Sequence, residues 1–285
     1  MPRLMKIGSI VLEVKAAKDC IRKGMIDPAE LGLLINTGIY RDEHIGEPAI
    51  AAFLQRRIGA NPLFNENGTT FAFDLNNGGA GVVTALGVLS GFINTETAEK
   101  GIIISGDANP TPGFTVGFEF MPSAGAIILE KGPEGQGFIA FDEFTYPEYK
   151  DSFSSIVEWT NLGAGGKKRH ILQIKKKRTY LKECLECSQD GLKKFLKNNH
   201  LKLDDIDLFI TSQSPTTFPS KLSENLNIND RLIDVTPKTG NLHTSGPIAA
   251  LDQAFWSNDF KEMKNILILA VGSGITVGCA LYRNP

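Results

Sequence analysis

Asp74-Leu-Asn-Asn-Gly-Gly-Ala-Gly81 lies between two apolar runs, Thr70-Phe-Ala-Phe73 before it and Val82-Val-Thr-Ala-Leu-Gly-Val-Leu89 after it. The first run is short and aromatic, as a buried strand is. The second stays apolar as far as Ile93, as a buried helix does. The stretch therefore predicts a strand, a tight glycine turn and a helix over 82–93. Such an elbow holds the residue at its tip against the unpaired N–H groups of a helix N-terminus. It ordinarily presents a nucleophile. Here the tip is Gly78-Gly79, which has no side chain.

The totals narrow the function classes. A chain of 285 residues suits one large domain or two packed halves. With 42% apolar and 22% charged residues it reads as an ordinary globular protein. A net charge of −2 gives no reason to expect nucleic acid or a membrane surface. No apolar run reaches the ~18 residues of a membrane span. The opening Met-Pro-Arg-Leu-Met-Lys-Ile has no signal-peptide core, so a cytoplasmic location with reduced thiols is expected. Cys20, Cys184, Cys187 and Cys279 are too few for a disulfide scaffold. Cys184 and Cys187 have Cys-x-x-Cys spacing but fall inside a helical pattern, so core thiols are expected. The four histidines show no ligand spacing, and no metal is expected.

The chain repeats itself. Apolar spacing predicts a helix over 11–24, a strand at 31–35, a helix over 48–58, the elbow strand and helix, and strands at 101–105 and 124–129. A second series follows: a helix over 179–198, strands ending at Ile210 and Val235, a loop from Gly240 to Gly246, a helix over 247–255, and strands at 265–271 and 276–281. Pro28-Ala-Glu-Leu-Gly-Leu-Leu-Ile35 lies over Leu203-Asp-Asp-Ile-Asp-Leu-Phe-Ile210. Gly101-Ile-Ile-Ile104 lies over Asn265-Ile-Leu-Ile268. The expected organisation is an N-terminal half over 1–131, an inserted connection over 132–178, and a C-terminal half over 179–285. The connection is rich in Gly, Pro and aromatics and carries Lys167-Lys-Arg169 and Lys175-Lys-Lys-Arg178 as an exposed basic face. A repeat this long means two similar α/β units, with a site between them where the elbow loops converge.

Two such halves resemble the thiolase fold, an α/β architecture of packed mixed sheets. The local sequence resembles β-ketoacyl-ACP synthase III. Asp74-Leu-Asn-Asn-Gly-Gly-Ala-Gly81 is similar to that family's nucleophile elbow, with Gly79 at the position of its cysteine. Gly240-Asn241 with Asp252 resembles its Gly-Asn loop and helix, and Gly272-Ser-Gly-Ile-Thr-Val-Gly278 its C-terminal glycine loop. Leu208-Phe-Ile-Thr-Ser-Gln-Ser214 stands where the family has a strand ending in His-Gln, which puts Ser212 at the histidine position. Gln55 and Gly59 fit the helix before the elbow strand. About forty N-terminal residues of the family have no counterpart, so a shortened sheet edge or a misassigned start at Met1 is expected.

The resemblance implies a thioester of CoA or phosphopantetheine as substrate, acyl-CoA or an acyl carrier protein as partner, no bound cofactor, and a dimer. It also implies a Cys, His and Asn mechanism of which Asn241 alone is kept. A glycine cannot be acylated, and a serine cannot supply an imidazole donor or a cation. The backbone N–H groups of Gly78, Gly79 and Gly274 could still receive a thioester oxyanion. His243 lies two residues beyond Asn241 and could act as a base; it could equally be an exposed or dimer-facing loop residue. Ser212 and Ser214 are weaker candidates for acylation near His243. Two roles stay open. One is a partner subunit of a Cys-containing ketosynthase homologue. The other is an acyltransferase to an alcohol or amine, in which Asn241 and His243 work without an acyl-enzyme. The basic runs could face a carrier protein or be plain solvated surface.

Overall fold

The computed structural model describes residues 8–61, 69–161, 168–257 and 259–284. In chain order the N-terminal half comprises α1 (Ser9–Gly24), β1 (Leu33–Asn36), α2 (Ile50–Ile58), β2 (Phe71–Asp74), α3 (Gly81–Asn94), β3 (Lys100–Asp107), β4 (Thr115–Val116) and β5 (Ser123–Glu130). The connection contributes β6 (Gly137–Thr145), β7 (Phe153–Asn161) and β8 (Lys168–Lys176). The C-terminal half comprises α4 (Tyr180–Asn198), β9 (Leu208–Thr211), α5 (Phe218–Leu226), β10 (Leu232–Ile233), α6 (Thr236–Thr239), α7 (Gly246–Phe255), β11 (Asn265–Gly272) and β12 (Thr276–Arg283).

The two halves share one strand order. The first sheet runs β2-β1-β3-β5, and the second runs β10-β9-β11-β12-β6. In each, the first three strands are parallel and the next is antiparallel: β3 pairs β5 as β11 pairs β12. β6 adds an antiparallel fifth strand beyond β12. The stretch 132–178 is therefore not all insertion. Its first strand completes the second sheet, and β7 and β8 form a separate ribbon with β4. Gly163 to Gly166 and Lys167 lie outside the described residues, as do the side chains of Lys168 and Arg169.

The central strands are uninterrupted apolar runs because both their faces are covered. On β1 and β3, Leu33, Ile35 and Ile103 face one core, while Leu34, Ile102 and Ile104 face another. On β11, Ile266, Ile268 and Ala270 face the first core and Leu267, Leu269 and Val271 a third. The shared core holds α3 and α7 between the sheets. The helices α1 and α2 cover the outside of the first sheet, and α4 and α5 the outside of the second. This is a five-layer α-β-α-β-α sandwich. Its middle layer explains why α3 is apolar on nearly every side: a helix between two sheets keeps only a narrow open stripe, here Thr84, Gly87, Val88, Gly91 and Asn94.

Asp74 fixes a corner of this frame. Its carboxylate accepts the first N–H groups of α2, from Ile50 and Ala51 at 2.9 Å each, and an amide hydrogen of Asn36 at 3.1 Å. Arg41 pairs with it at 3.1 Å. The first residue of the elbow motif thus caps a helix.

Candidate functional site

The two elbows are built alike. A 3-10 turn at Gly78–Ala80 leads into α3, and one at His243–Ser245 leads into α7. Both turns meet at the middle layer, beside the C-terminal ends of β3 and β11.

The first elbow is pressed against the end of β11. A Cβ at Gly79 would lie 2.5 Å from the carbonyl oxygen of Val271. A Cβ at Gly272 would lie 2.9 Å from the oxygen of Asn77 and 3.0 Å from the nitrogen of Ala80. Backbone packs on backbone here, which requires glycine at both positions. Gly78 sits in the left-handed region at φ +53°.

The second elbow carries side chains. His243 Nδ1 lies 2.8 Å from Oδ2 of Asp107, the last residue of β3. The side chain of His243 is 12% exposed and that of Asp107 fully buried. Asp107 also accepts N–H groups from Ile39 (3.0 Å), Tyr40 (2.7 Å) and Thr244 (3.2 Å), and the Thr244 hydroxyl at 2.5 Å. Burial by itself would push this carboxyl up. The charge of the His243 imidazole and the hydrogen bonds from His243, Thr244 and Tyr40 outweigh burial and hold it at about 2. An ionised Asp107 accepts from Nδ1–H, which leaves Nε2 as the basic nitrogen of a neutral ring. Phe120 packs on the imidazole with ring centroids 4.3 Å apart, and Tyr40 lies at 5.2 Å. His243 itself has φ +48°, an unfavourable conformation for a residue with a Cβ that this set of contacts maintains.

His243 lines a cleft with two parts. The inner part has about 20 Å³ of space and is walled by Gly79, Phe120, Tyr180, Ser212, His243 and Ser273. The outer part has about 320 Å³ and is walled by Tyr40, Asn76, Asn77, Gly78, Ser155 and His243. Lys176 and Glu119, paired at 2.6 Å, also line the inner part.

The structure therefore brings Gly78, Gly79, Ser212 and His243 to one cleft. Asn241 is buried, and its side-chain oxygen turns back to accept the N–H of His243 at 3.2 Å. In this position it shapes the loop. The Ser212 hydroxyl oxygen accepts the N–H of Val271 at 2.8 Å. The glycine loop reaches the cleft through Gly272 and Ser273, while Gly274 stands at the turn into β12. Ser214 also lines the inner cleft. Cys184, Cys187 and Cys279 are buried. Burial pushes the Cys184 thiol to about 12 and the Cys187 thiol to about 11, so these are core groups and not nucleophiles. Sequence reasoning missed Asp107, Tyr40 and Phe120. The signal for Asp107 was a carboxylate ending an otherwise apolar central strand, on the edge where the elbows converge.

Two duplicated halves, a five-layer sandwich and paired elbows at the strand ends define a thiolase-like fold. Comparison with known proteins narrows this. Residues 196–284 match the family described as 3-oxoacyl-[acyl-carrier-protein (ACP)] synthase III C terminal. The chain is 27% identical over 294 residues to the β-ketoacyl-ACP synthase III of Natranaerobius thermophilus, covering 95% of this chain and 83% of that one. The Rickettsia bellii enzyme of the same name is also 27% identical, over 284 residues, with the same coverage of both chains. The 3-oxoacyl-ACP synthase III structure from Aquifex aeolicus superposes with a TM-score of 0.81 at 20% identity, covering 98% of this chain and 85% of that one. The structure of a Xanthomonas campestris OleA variant with bound lauric acid and lauroyl-CoA superposes with a TM-score of 0.77 at 16% identity, covering 98% and 84%. The chain is thus similar to β-ketoacyl-ACP synthase III along almost its whole length. No helix among the described residues is long and apolar enough to cross a membrane.

Proposed function

We propose that this protein binds an acyl thioester of CoA or carrier protein between its two elbows and transfers a short acyl group to an alcohol or amine without an acyl-enzyme. The observation that carries this reading is the Asp107–His243 pair facing a cleft whose opposite elbow ends in Gly79, a residue with no side chain. A buried carboxylate that orients an imidazole is how a general base is made. The base comes from one half and its orienting carboxylate from the other.

The chemistry needs no other side chain. Nε2 of His243 takes the proton of the acceptor O–H or N–H as the acceptor oxygen or nitrogen bonds to the thioester carbonyl carbon. The tetrahedral oxyanion is received by the elbow N–H groups of Gly78 and Gly79. The C–S bond breaks, and the thiolate leaves with the proton from the imidazolium. The small inner cleft, filled by Phe120 and Tyr180, favours a short acyl group. Acyl-CoA thioesters of increasing length, tested with simple alcohols and amines, should release CoA fastest with the shortest chains. Release that is unchanged in a His243→Ala variant would sink the reading.

A second reading is a partner subunit of a Cys-containing homologue. It draws support from Gly79, where the close approach of Val271 leaves no room for any side chain. Its test is co-purification with such a homologue and a gain in that enzyme's rate when this chain is added.

A further inference from the structure

The outer part of the cleft has a different wall from the inner part. Among the described residues, no Asp, Glu, Lys or Arg stands on it. The charged pair Lys176–Glu119 borders the inner part alone. The polar groups of the outer wall are neutral ones: the amide of Asn76 and the hydroxyls of Ser155 and Ser273, all on exposed residues. Each of them can donate and accept a hydrogen bond. The Asn77 amide is taken up by the Thr84 hydroxyl at 2.8 Å. Phe153, His243 and Ser273 belong to both walls, so the imidazole stands where the two parts meet. Asp107, the carboxylate that holds the imidazole, is fully buried, and its oxygens are occupied by His243, Thr244, Ile39 and Tyr40.

We propose that the outer part takes the acceptor, and that the acceptor is an uncharged polyol and not an amine. The inference deepens the proposed function and rests on transfer from a thioester held at the inner part. An ordinary alkylamine, with a pKa of ~10 like that of Lys, is an ammonium at neutral pH. Drawing a charge of either sign out of water is costly without a counter-charge, and this wall offers none. An ammonium also has no lone pair with which to attack a carbonyl. A hydroxyl compound enters neutral and gives its proton only to Nε2 of His243. Its oxygen then bonds to the thioester carbon, the C–S bond breaks, and the sulfur leaves as a thiol with that proton. An ester and a thiol are formed. A simple alkanol would displace water from Asn76, Ser155 and Ser273 and put nothing polar in its place. A polyol replaces that water group for group. The outer part, at about 320 Å³, has room for roughly ten heavy atoms if each takes the ~30 Å³ of a water in the liquid.

The test uses acetyl-CoA with four-carbon acceptors of matched length: erythritol, 1-butanol, butylamine and the anion erythronate. CoA release should show a kcat/KM for erythritol at least ~10-fold above that for each of the others. Asn76→Ala and Ser273→Ala should each raise KM for erythritol several-fold, with smaller changes in kcat and in the KM for 1-butanol. Binding is read separately and without turnover, as the Kd of the same four compounds by ligand-observed NMR in the presence of CoA. Erythritol should bind most tightly, and less tightly in both variants. The proposal is overturned if butylamine, erythronate or 1-butanol is bound or used as well as erythritol, or if the variants weaken erythritol and 1-butanol alike. Selective binding of erythritol with no CoA release would refute the proposed function and leave the polyol site standing.

Discussion

The two elbows have the same backbone and opposite contents. The first, at Gly78–Ala80, has glycine at its tip and packs against Val271 and Gly272. The second, at His243–Ser245, holds an imidazole, and a carboxylate from the other half holds the imidazole. The fold supplies a strand end, a tight turn and a helix N-terminus twice, so reactive side chains have two places to stand. In this chain the fully furnished place is the C-terminal one.

The comparison breaks most visibly at the furnished elbow. His243→Ala or Asp107→Asn should lower acyl transfer by about 10²–10⁴-fold, the usual worth of a positioned base, measured as CoA release at saturating acyl-CoA. If either variant stays within a few-fold of wild type, the second elbow is no more functional than the first. At the bare elbow the effect falls on stability. Gly79→Cys forces a Cβ onto the Val271 oxygen and should cost about 1–3 kcal/mol by urea denaturation. The same variant should form no covalent acyl adduct by mass spectrometry, and a stable adduct would show that the elbow can reopen.

A third effect follows from the carboxyl of Asp107. It is held near 2 in the folded chain, against an ordinary value of 3.8. A lowered carboxyl stabilises the fold above its unfolded value, and that contribution, about 2 kcal/mol, disappears as pH falls from about 4 to 2. Glu13 acts in the opposite sense: its raised carboxyl favours the fold at low pH, and the benefit is lost as pH rises above 4.5. Denaturation measured across pH should lose its acid limb in Asp107→Asn and its decline above pH 4.5 in Glu13→Gln. The smallest effect belongs to Ser212→Ala. It strands the Val271 N–H and should cost roughly 1 kcal/mol, with acyl transfer nearly unchanged. A large loss of activity instead would give Ser212 a part in the chemistry.

Much of the frame was legible because central strands and the middle helix leave continuous apolar runs. The elbow at Gly78-Gly79 and the strand pairs of the two halves follow from those runs alone. The helix α5 was not read: Phe218 and Leu222 are its only fully buried large side chains, too few to show a period. The repeat held the missing information, since α5 occupies the place of α2 between corresponding strands. β6 was obscured for another reason. As an edge strand it has no fully buried position, and its partner, β12, is more than a hundred residues away in sequence. At the site, Gly79 could be singled out from the elbow pattern, and His243 from its place beside Asn241 in a loop that resembles the family's. Asp107 could not, because its importance comes from a contact 136 residues away. The turning of Asn241 onto its own loop is likewise a matter of side-chain direction that spacing does not encode.

β12 follows every other described strand in the chain, yet it lies inside its sheet, between β11 and β6. During synthesis β6 emerges well before the strand it pairs with, and its edge stays open while the second half is made. The loop carrying Gly272 and Ser273 joins β11 to β12, so its place at the cleft is fixed by a strand on each side. β12 is thus a keystone strand. A chain cut before β12 should therefore leave β6 unpaired and the glycine loop without the strand that holds it at the cleft.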